Sequence, residues 1–381
     1  MTQAQQTLLQ ILQNSLFQTN HGIPADTDWN AVLREAEEQA VLGLAIDAAP
    51  EDVRRAWKEH LNTVTAGVIR SLHYQSALCA ILQKNGVPAV ILKGSAAAIY
   101  YPNPARRTTG DIDFLVPKAH FDRARALLLQ SGYTVREDPT YPRHIDVIRD
   151  NVLFEMHRFF CEGETVTESY IQKGAEHAET ARLLGTSFPM LPKLENGLVL
   201  LTHMGQHLRV GLGLRQIIDW MLYADRELDD AFWESAFGAA ARACGLETIA
   251  VVATRLCQRY LGLSERLTWC RDADPQLCEE LMESVFLSGN FGFKRPDGRR
   301  VEAAVANLRQ KGVFRYLQQA GEDNWKAYRK HRWLKPFCWI YQIFRYIGQG
   351  IRMKRNGAQL GKDYERGAQR VKLLKELEID P

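Results

Sequence analysis

The 381-residue chain contains no run of about 18 apolar residues, the length that a helix needs to cross a bilayer. No basic segment followed by an apolar core opens it, so the sequence predicts no secretory signal peptide. Internal repeats and low-complexity tracts are also missing. Hydrophobic residues make up 46% of the chain and charged residues 24%, the composition of a globular protein. We therefore expect a soluble, cytoplasmic protein of two or three domains.

Cysteine is too sparse and too irregularly spaced to form a covalent framework. Seven cysteines are present, their number is odd, and no two are spaced C-x-x-C. These features argue against a zinc ribbon and against a set of disulfides. We expect buried, reduced thiols, as in cytosolic proteins.

The net charge is also small, at +3, which excludes a uniformly basic surface that would bind nucleic acid along its whole extent. The charge is nevertheless unevenly distributed. Residues 326–355 contain nine Lys or Arg and no Asp or Glu, so the rest of the chain carries a net charge of −6.

Hydrophobic periodicity divides the chain into three regions. Residues 1–85 and 193–381 follow helical spacing, while residues 86–192 alternate short apolar runs with one amphipathic helix at 117–131. The pattern predicts strands at 88–92, 111–116, 133–136, 145–148 and 152–159. In the third region it predicts helices at 196–224, 230–243 and 247–261. We expect an α+β fold, with a small mixed sheet between two helical regions.

Two aspartates, Asp111 and Asp113, begin the second predicted strand. Strand alternation places both carboxylates on the same face. Neighbouring carboxylates repel each other unless a cation lies between them, and Mg²⁺ prefers such oxygen ligands together with phosphate oxygens. The pair therefore predicts a metal site, although an isolated D-x-D is more often a solvated strand end.

Residues on both sides of this pair add groups that bind phosphate or metal. The turn Lys93-Gly94-Ser95 opens a short helix, where glycine permits close backbone approach and the backbone N–H groups can donate hydrogen bonds to a phosphate. Arg106 and Arg107 are suited to phosphate contacts. Glu155, on a later strand, supplies a third carboxylate. Three carboxylates with two metal ions and a triphosphate would form a phosphoryl-transfer centre.

Taken together, these motifs resemble the polymerase-β-like nucleotidyltransferase superfamily, in which Gly-Ser and a short helix precede Asp-hydrophobic-Asp on a strand. They are similar to a bacterial branch of largely uncharacterised nucleotidyltransferases, over residues 60–225. Gly110 stands where many relatives have Ser, and Glu155 where Asp is common. The resemblance implies a nucleotidyltransferase core at 86–192, an NTP such as ATP as the donor, and Mg²⁺ or Mn²⁺ as the metal.

Five further residues are candidates for the cleft of such an enzyme. His157 follows Glu155 by two residues on the same strand face and is either a base, a phosphate contact or a core histidine. The remaining four resemble a later run of the bacterial branch: His203, His207, Arg215 and Asp219. The histidines have helical i, i+4 spacing without the third ligand of a zinc site. Arg215 and Asp219 form either an intrahelical ion pair or part of the cleft.

We therefore expect an enzyme that moves a nucleoside monophosphate from an NTP to an unidentified acceptor and releases pyrophosphate. Asp111, Asp113 and Glu155 would bind the metals, with Asp146 as the next candidate for the third carboxylate. The residues at 93–95 and 106–107 would hold the triphosphate. The alternatives are a phosphotransferase on the same scaffold and a nucleotide-binding protein without turnover.

The basic segment 326–355 is interleaved with aromatic residues, including Trp333, Phe337 and Phe344. Three interpretations are open: the aromatics pack this segment onto the protein, the segment lies on an anionic membrane, or it binds RNA. We expect packing together with a basic face that lines the approach to the active site and attracts an anionic acceptor.

Overall fold

The computed structural model describes residues 1–138, 143–292, 294, 312–355 and 360–379. At its centre is one mixed sheet of seven strands, in the order β3-β4-β5-β2-β1-β7-β6. The strands are β1 (Val90–Ile91), β2 (Ile112–Leu115), β3 (Thr134–Arg136), β4 (His144–Arg149), β5 (Val152–His157), β6 (Glu179–Leu183) and β7 (Thr186–Met190). Neighbouring strands run antiparallel except β2–β5 and β1–β7, which are parallel. The predicted α+β class with a mixed sheet flanked by helices is confirmed.

Helices surround this sheet in sequence and in space. Before β1 lie α1 (Gln3–Phe17), α2 (Trp29–Glu38), α3 (Leu42–Ala45), α4 (Glu51–Ala56) and α5 (Lys58–Lys84). Within the sheet region lie α6 (Gly94–Ala98), α7 (Phe121–Gln130) and α8 (Val166–Glu176). After it come α9 (Lys193–Leu208), α10 (Leu214–Glu227), α11 (Asp230–Phe232), α12 (Gly238–Ala243), α13 (Glu247–Tyr260), α14 (Pro275–Ser288), α15 (Val313–Asn324), α16 (Lys326–Lys330), α17 (Cys338–Arg355) and α18 (Leu360–Glu376).

The long helix predicted at 196–224 is wrong, because the chain leaves the helix between α9 and α10. Gly211 has φ +144°, and a Cβ there would lie 2.1 Å from the backbone nitrogen of Gly292. A Cβ on Gly213 would lie 2.9 Å from the Cα of Asn290. The two glycines thus let residues 211–213 pack directly against residues 290–292. This contact shapes one wall of the cleft described below.

Strands β6 and β7 were absent from the sequence prediction. Their residues include threonine, serine and Pro189 rather than a clear apolar alternation, so the pattern signal is weak. β7 pairs with β1 through Ile91 and Met190, which places the turn after β1 inside the sheet rather than at its edge. The boundaries at 85/86 and 192/193 remain predictions.

Buried side chains form a large helical core and a separate core beneath the sheet. The helical core joins α1 to the helices after residue 193 through residues such as Leu12 and Trp220. The second core packs α5 and α7 against the sheet around Phe114 and Phe154. No helix in the described part of the chain has the length and hydrophobicity that crossing a membrane requires.

Candidate active site

The register of β2 and β5 brings the three predicted carboxylates together. Asp113 and Glu155 are directly opposite each other in this parallel pair, so their side chains share one face. Asp111 precedes β2 by one residue and lies on the same side. Single oxygens of Asp111, Asp113 and Glu155 lie within 4.8 Å of one another, and we call these three residues the carboxylate cluster.

Lys93 enters this cluster from the end of β1. Its backbone has φ +48° and ψ −134°, a conformation that L-residues rarely adopt, and Gly94 follows with φ +25°. In that position the Lys93 ammonium lies 2.7 Å from Asp113 Oδ1. The turn therefore delivers a cation to the most buried member of the carboxylate cluster.

His157 approaches the same aspartate from β5. Its Nε2 lies 2.9 Å from Asp113 Oδ1 and 3.4 Å from Glu155 Oε2, and the ring is buried. Burial alone would lower the pKa of His157, but its hydrogen bonds to Asp113 and Glu155 raise it above its usual value. These contacts place His157 beside the carboxylate cluster, and its role as a base, a phosphate contact or a hydrogen-bonded core histidine remains a prediction.

The carboxylates titrate very differently from one another. Burial and the charge of Asp113 raise the pKa of Asp111 to about 6. Burial would also raise the pKa of Asp113, but Lys93 and His157 hold it below its usual range. Lys93 is desolvated as well, yet Asp113 and Asp111 keep its pKa above the ordinary value. The ammonium and the Asp113 carboxylate therefore stabilise each other's charged forms.

A second buried ion pair supports the floor of the site. Arg107 donates from Nε and Nη2 to the two carboxylate oxygens of Asp219, both at 2.7 Å. Tyr101 donates its hydroxyl hydrogen bond to Asp219 Oδ1, also at 2.7 Å. Asp219 thus pairs with Arg107 across 112 residues, whereas Arg215 donates to the carbonyl of Thr108 at 3.2 Å. The partner of Asp219 is therefore not its helical neighbour Arg215.

The opposite wall carries neutral histidines and a poorly satisfied arginine. The Nε2 atoms of His203 and His207 lie 2.7 Å apart. Burial lowers the pKa of His207 to about 3, and it lowers the pKa of His203 well below its usual value. The Nε of Arg215 is buried without a hydrogen-bond partner among the described residues. Burial, with Arg107 nearby, lowers the Arg215 pKa. Phe291 covers His207 and Arg215, at 4.6 Å from the His207 ring and 5.5 Å from the guanidinium.

These groups surround one cleft of about 260 Å³. Its lining includes ten residues predicted or singled out from the sequence: Lys93, Gly94, Arg107, Gly110, Asp111, Asp113, Glu155, His157, His203 and His207. Arg215 lines it as well, whereas Asp219 does not line it and instead forms an ion pair with the lining residue Arg107. The cleft is therefore lined by residues of the sheet and by residues of helices α9 and α10.

Two predicted phosphate contacts lie elsewhere. Ser95 is buried and donates its hydroxyl hydrogen bond to Gln75 Oε1 at 2.7 Å. Arg106 forms an ion pair with Asp47, at 2.8 Å. Neither side chain lines the cleft in this conformation, and their roles in phosphate binding remain predictions.

Sequence reasoning missed several residues of the lining. They are Arg143, His144, Phe160, Gln206 and Phe291. His144 directly precedes the strand predicted at 145–148 and is the first residue of β4 in the structure. Its Nε2 lies 3.8 Å from Glu155 Oε1. His144, Glu155 and His157 place one ligand atom each within 4.8 Å of one another. Phe291 gave no signal, since its position depends on the contact with residues 211–213.

The donor chemistry of the carboxylate cluster fits a hard divalent cation. Three carboxylates converge, and Lys93 and His157 both contact Oδ1 of Asp113. The rings of His157 and His144 lie 3.4 and 3.8 Å from the carboxylate oxygens of Glu155. Carboxylate oxygens at this separation are the ligands that Mg²⁺ and Mn²⁺ take together with phosphate oxygens.

Comparison with known proteins adds a family match. The model of a family described as uncharacterised nucleotidyltransferase matches residues 25–262. No curated protein sequence matches the chain.

Three solved structures give matches of low identity. The solution structure of the antibiotic-resistance factor ANT(2'')-Ia shares 15% identity at a TM-score of 0.35, covering 47% of this chain and 93% of that one. The crystal structure of a nucleotidyltransferase-like protein from Paracoccidioides brasiliensis shares 15% identity at a TM-score of 0.33, and the match covers 51% of this chain and 94% of that one. A tRNA nucleotidyltransferase in complex with a primer tRNA and an ATP analogue shares 14% at 0.22, covering 79% and 95%.

Proposed function

The chain belongs to the family of uncharacterised nucleotidyltransferases, and from this premise we propose that it transfers a nucleoside monophosphate from an NTP to an acceptor hydroxyl. In this reaction the acceptor oxygen forms a bond to the α-phosphorus, and the bond from that phosphorus to the β-bridging oxygen breaks. Pyrophosphate leaves, and the hydroxyl proton passes to a base. The observation that carries the proposal is the convergence of Asp111, Asp113 and Glu155 in one cleft.

The metal, Mg²⁺ or alternatively Mn²⁺, would be held by Asp111, Asp113 and Glu155. Together with the oxygens of a bound triphosphate, these carboxylates would supply enough oxygen donors for two ions. When bound, the metal supplies positive charge that stabilises the triphosphate and the departing pyrophosphate. Glu155 serves either as the third ligand or as the base that accepts the hydroxyl proton. A variant discussed below separates these two roles.

The cations of the cleft account for binding of the anionic donor. Lys93, Arg107 and Arg215 all line it, and Gly94 allows the chain to approach a phosphate closely. Arg215 is the strongest single indication of an anionic ligand, because its buried Nε has no partner among the described residues. A phosphate or ribose oxygen of the NTP would provide that acceptor.

We place the acceptor in a larger neighbouring cavity of about 810 Å³. This second cavity shares Arg143 and Gln206 with the cleft, so a molecule bound there adjoins the reacting groups. Three threonines line it, and its two arginines are balanced by two glutamates. Such a lining favours a small polar molecule rich in hydroxyl groups rather than a strongly charged one.

Incubation with each NTP and Mg²⁺, alone and with panels of sugars, nucleosides and hydroxyl-bearing peptides, tests the proposal. We expect pyrophosphate release and a mass increase of one nucleoside monophosphate on the acceptor. Asp113→Asn should abolish both, and Asp122→Asn is the matched control, because Asp122 is an exposed aspartate on α7 that does not line the cleft. Release of NDP instead would identify a phosphotransferase. NTP binding without turnover on any acceptor would identify a binding protein.

A cytoplasmic, bacterial setting is part of the same proposal. All seven cysteines are free thiols, and burial raises the pKa of Cys257 and Cys161 above the usual range. Buried protonated thiols are typical of proteins in reducing compartments. Fractionation of the native host, with detection of the protein by antibody, tests this location.

A further inference from the structure

Exposed hydrophobic side chains concentrate in one short part of the molecule. Of the thirteen large hydrophobic residues that the described chain exposes, seven lie between residues 313 and 351. They are Val313, Phe314, Trp333, Phe337, Phe344, Ile347 and Ile351. Isolated exposed hydrophobics are normal on a protein surface, but such a concentration indicates an interaction site.

These residues belong to a helical hairpin, in which α15 packs against α17 and residues 325–337 connect them. The helices approach so closely that a Cβ on Gly321 would lie 2.0 Å from the carbonyl oxygen of Cys338. The hydroxyls of Tyr316 and Tyr346 are 2.6 Å apart, and the rings of Trp325 and Tyr341 stack at 5.0 Å. The hairpin (residues 313–355) therefore has its own internal packing.

This packing divides the aromatic residues into two groups. Tyr346 stacks against Tyr316 of α15, and Tyr341 stacks against Trp325 in the connecting segment, so both pack within the hairpin. Trp333 and Phe344 do not: they are 72% and 69% exposed. The packing within the hairpin therefore leaves these two large side chains exposed.

The exposed residues of α17 follow helical spacing. Phe344, Ile347 and Ile351 are separated by three and four residues, so they lie along one side of the helix. Arg345 directly follows Phe344, and Arg352 directly follows Ile351. Because successive residues of a helix are about 100° apart around its axis, both arginines lie along the same edge of the apolar stripe. The result is an apolar stripe beside a basic edge.

The same segment carries the strongest charge bias of the chain. Residues 326–355 contain nine Lys or Arg without an acidic residue, and Lys326, Lys330 and Arg352 are exposed. The cleft lining lies between Lys93 and Phe291, outside the hairpin. No lysine or arginine of the hairpin lines the cleft in the described part of the chain, so the basic face predicted along the approach to the active site is not part of the cleft lining.

We infer that the hairpin is a docking surface for the interface of an anionic lipid bilayer. Its exposed apolar residues would enter the boundary between headgroups and acyl chains, while its lysines and arginines contact anionic headgroups. This inference goes beyond the proposed transfer reaction and does not depend on it.

Two other occupants fit the observations less well. RNA would stack on Trp333 or Phe344, but the exposed aliphatic residues Ile347 and Ile351 offer bases no stacking surface. A second copy of the chain would bring two basic segments together, and like charges repel at an interface. An anionic bilayer satisfies both the aliphatic stripe and the positive charge.

Flotation of the full chain with vesicles tests the inference. We expect binding to vesicles of phosphatidylglycerol and phosphatidylcholine in equal parts, and little binding to phosphatidylcholine alone. Added salt should weaken the binding, because headgroup attraction is screened. Absence of binding to the phosphatidylglycerol vesicles overturns the inference.

Two sets of variants assign the binding to the hairpin. Replacement of Phe344, Ile347 and Ile351 by glutamine removes the apolar stripe and keeps the charge; we expect at least a tenfold loss of affinity. Replacement of Lys326, Lys330 and Arg352 by glutamine removes three positive charges. We expect the affinity for the vesicles to fall about fivefold for each charge removed at low salt. Unchanged binding in either set contradicts the inference.

Matched controls come from exposed residues elsewhere. Ile69→Gln removes a hydrophobic side chain that is 60% exposed on α5, and glutamine at Lys58, Lys84 and Arg182 removes three exposed charges outside the hairpin. Both controls should bind vesicles as the unaltered chain does. Circular dichroism melts of every variant show that the fold is retained.

The same proteins distinguish the other occupants. Tighter binding to single-stranded RNA than to phosphatidylglycerol vesicles, insensitive to the changes at Ile347 and Ile351, would identify RNA as the partner. A dimer at micromolar concentration that the stripe variant dissociates would identify a second copy. Either result replaces the lipid inference.

Discussion

The ammonium of Lys93 lies 2.7 Å from Asp113 Oδ1, the same oxygen that His157 contacts at 2.9 Å. The Lys93 ammonium, from the turn after β1, and the His157 ring, from β5, thus converge on one oxygen of the carboxylate cluster. The arrangement keeps three clustered carboxylates close together without an ion, since each would otherwise repel the others. It also implies that Lys93 and a metal compete for Asp113.

The first prediction follows from this competition. Lys93→Met should lower the free energy of unfolding by about 3 kcal/mol in EDTA, because it leaves buried carboxylates without their cation. The same variant should bind Mn²⁺ several-fold more tightly than the unaltered chain, as measured by calorimetry. Nucleotide transfer should nevertheless fall, because a phosphate contact is lost. Weaker Mn²⁺ binding would show that Lys93 positions the site rather than competing for it.

The second prediction concerns Glu155. If Glu155 accepts the hydroxyl proton, Glu155→Gln should lower kcat by about a hundredfold or more with little change in the KM for NTP. If it completes the metal site, Mn²⁺ and NTP affinity should fall as well. Steady-state kinetics and Mn²⁺ titration of one protein preparation give both readouts. Retention of full activity would remove Glu155 from the site, and Asp146 would be tested next.

The proximity of the three carboxylates could largely be predicted from the sequence, because two of them are close neighbours along the chain. Asp111 and Asp113 sit two positions apart on one strand, and alternation alone places them on one face. Glu155 required only that a second strand lie beside the first. The exact register, with Asp113 opposite Glu155, is a tertiary property that no spacing along the chain specifies.

What the sequence could not predict depends on contacts between distant segments. Arg107 and Asp219 are 112 residues apart, and the closer candidate partner for Asp219 was Arg215. Phe291 reaches the cleft only because Gly211 and Gly213 admit the backbone of residues 290–292. A glycine pair within a predicted helix signals a break, but it does not show what packs against the break.

The third prediction tests the Arg107–Asp219 pair. Arg107→Met and Asp219→Leu should each destabilise the protein by about 3 kcal/mol or more, because each leaves a buried charge without its partner. The double variant should recover most of that loss, since a neutral pair of similar size has no desolvated charge. Urea unfolding of the four proteins forms the double-mutant cycle. Additive losses would mean that the two charges do not stabilise each other.

The fourth prediction concerns pH and the histidine wall of the cleft. The folded-state pKa of His207 is about 3, lowered first by burial and then by Lys93 and Arg215, while its value in the unfolded chain is near 6.5. The unfolded chain therefore binds a proton that the folded protein excludes, and stability falls as the pH drops below about 6.5. Between pH 7 and pH 5 this single group should cost about 2 kcal/mol.

Comparison of His207→Gln with the unaltered chain isolates this contribution. Glutamine retains a hydrogen-bonding group near His203 and does not titrate, so the variant should lose about 2 kcal/mol less stability over the same interval. Asp111, with its pKa raised to about 6, acts in the opposite direction, but it is present in both proteins and cancels in the difference. His21→Gln, at an exposed position, is the control and should follow the unaltered chain. Urea unfolding at pH 7, 6 and 5 measures the difference, and parallel pH profiles for all three proteins would show that the pKa of His207 does not change on folding.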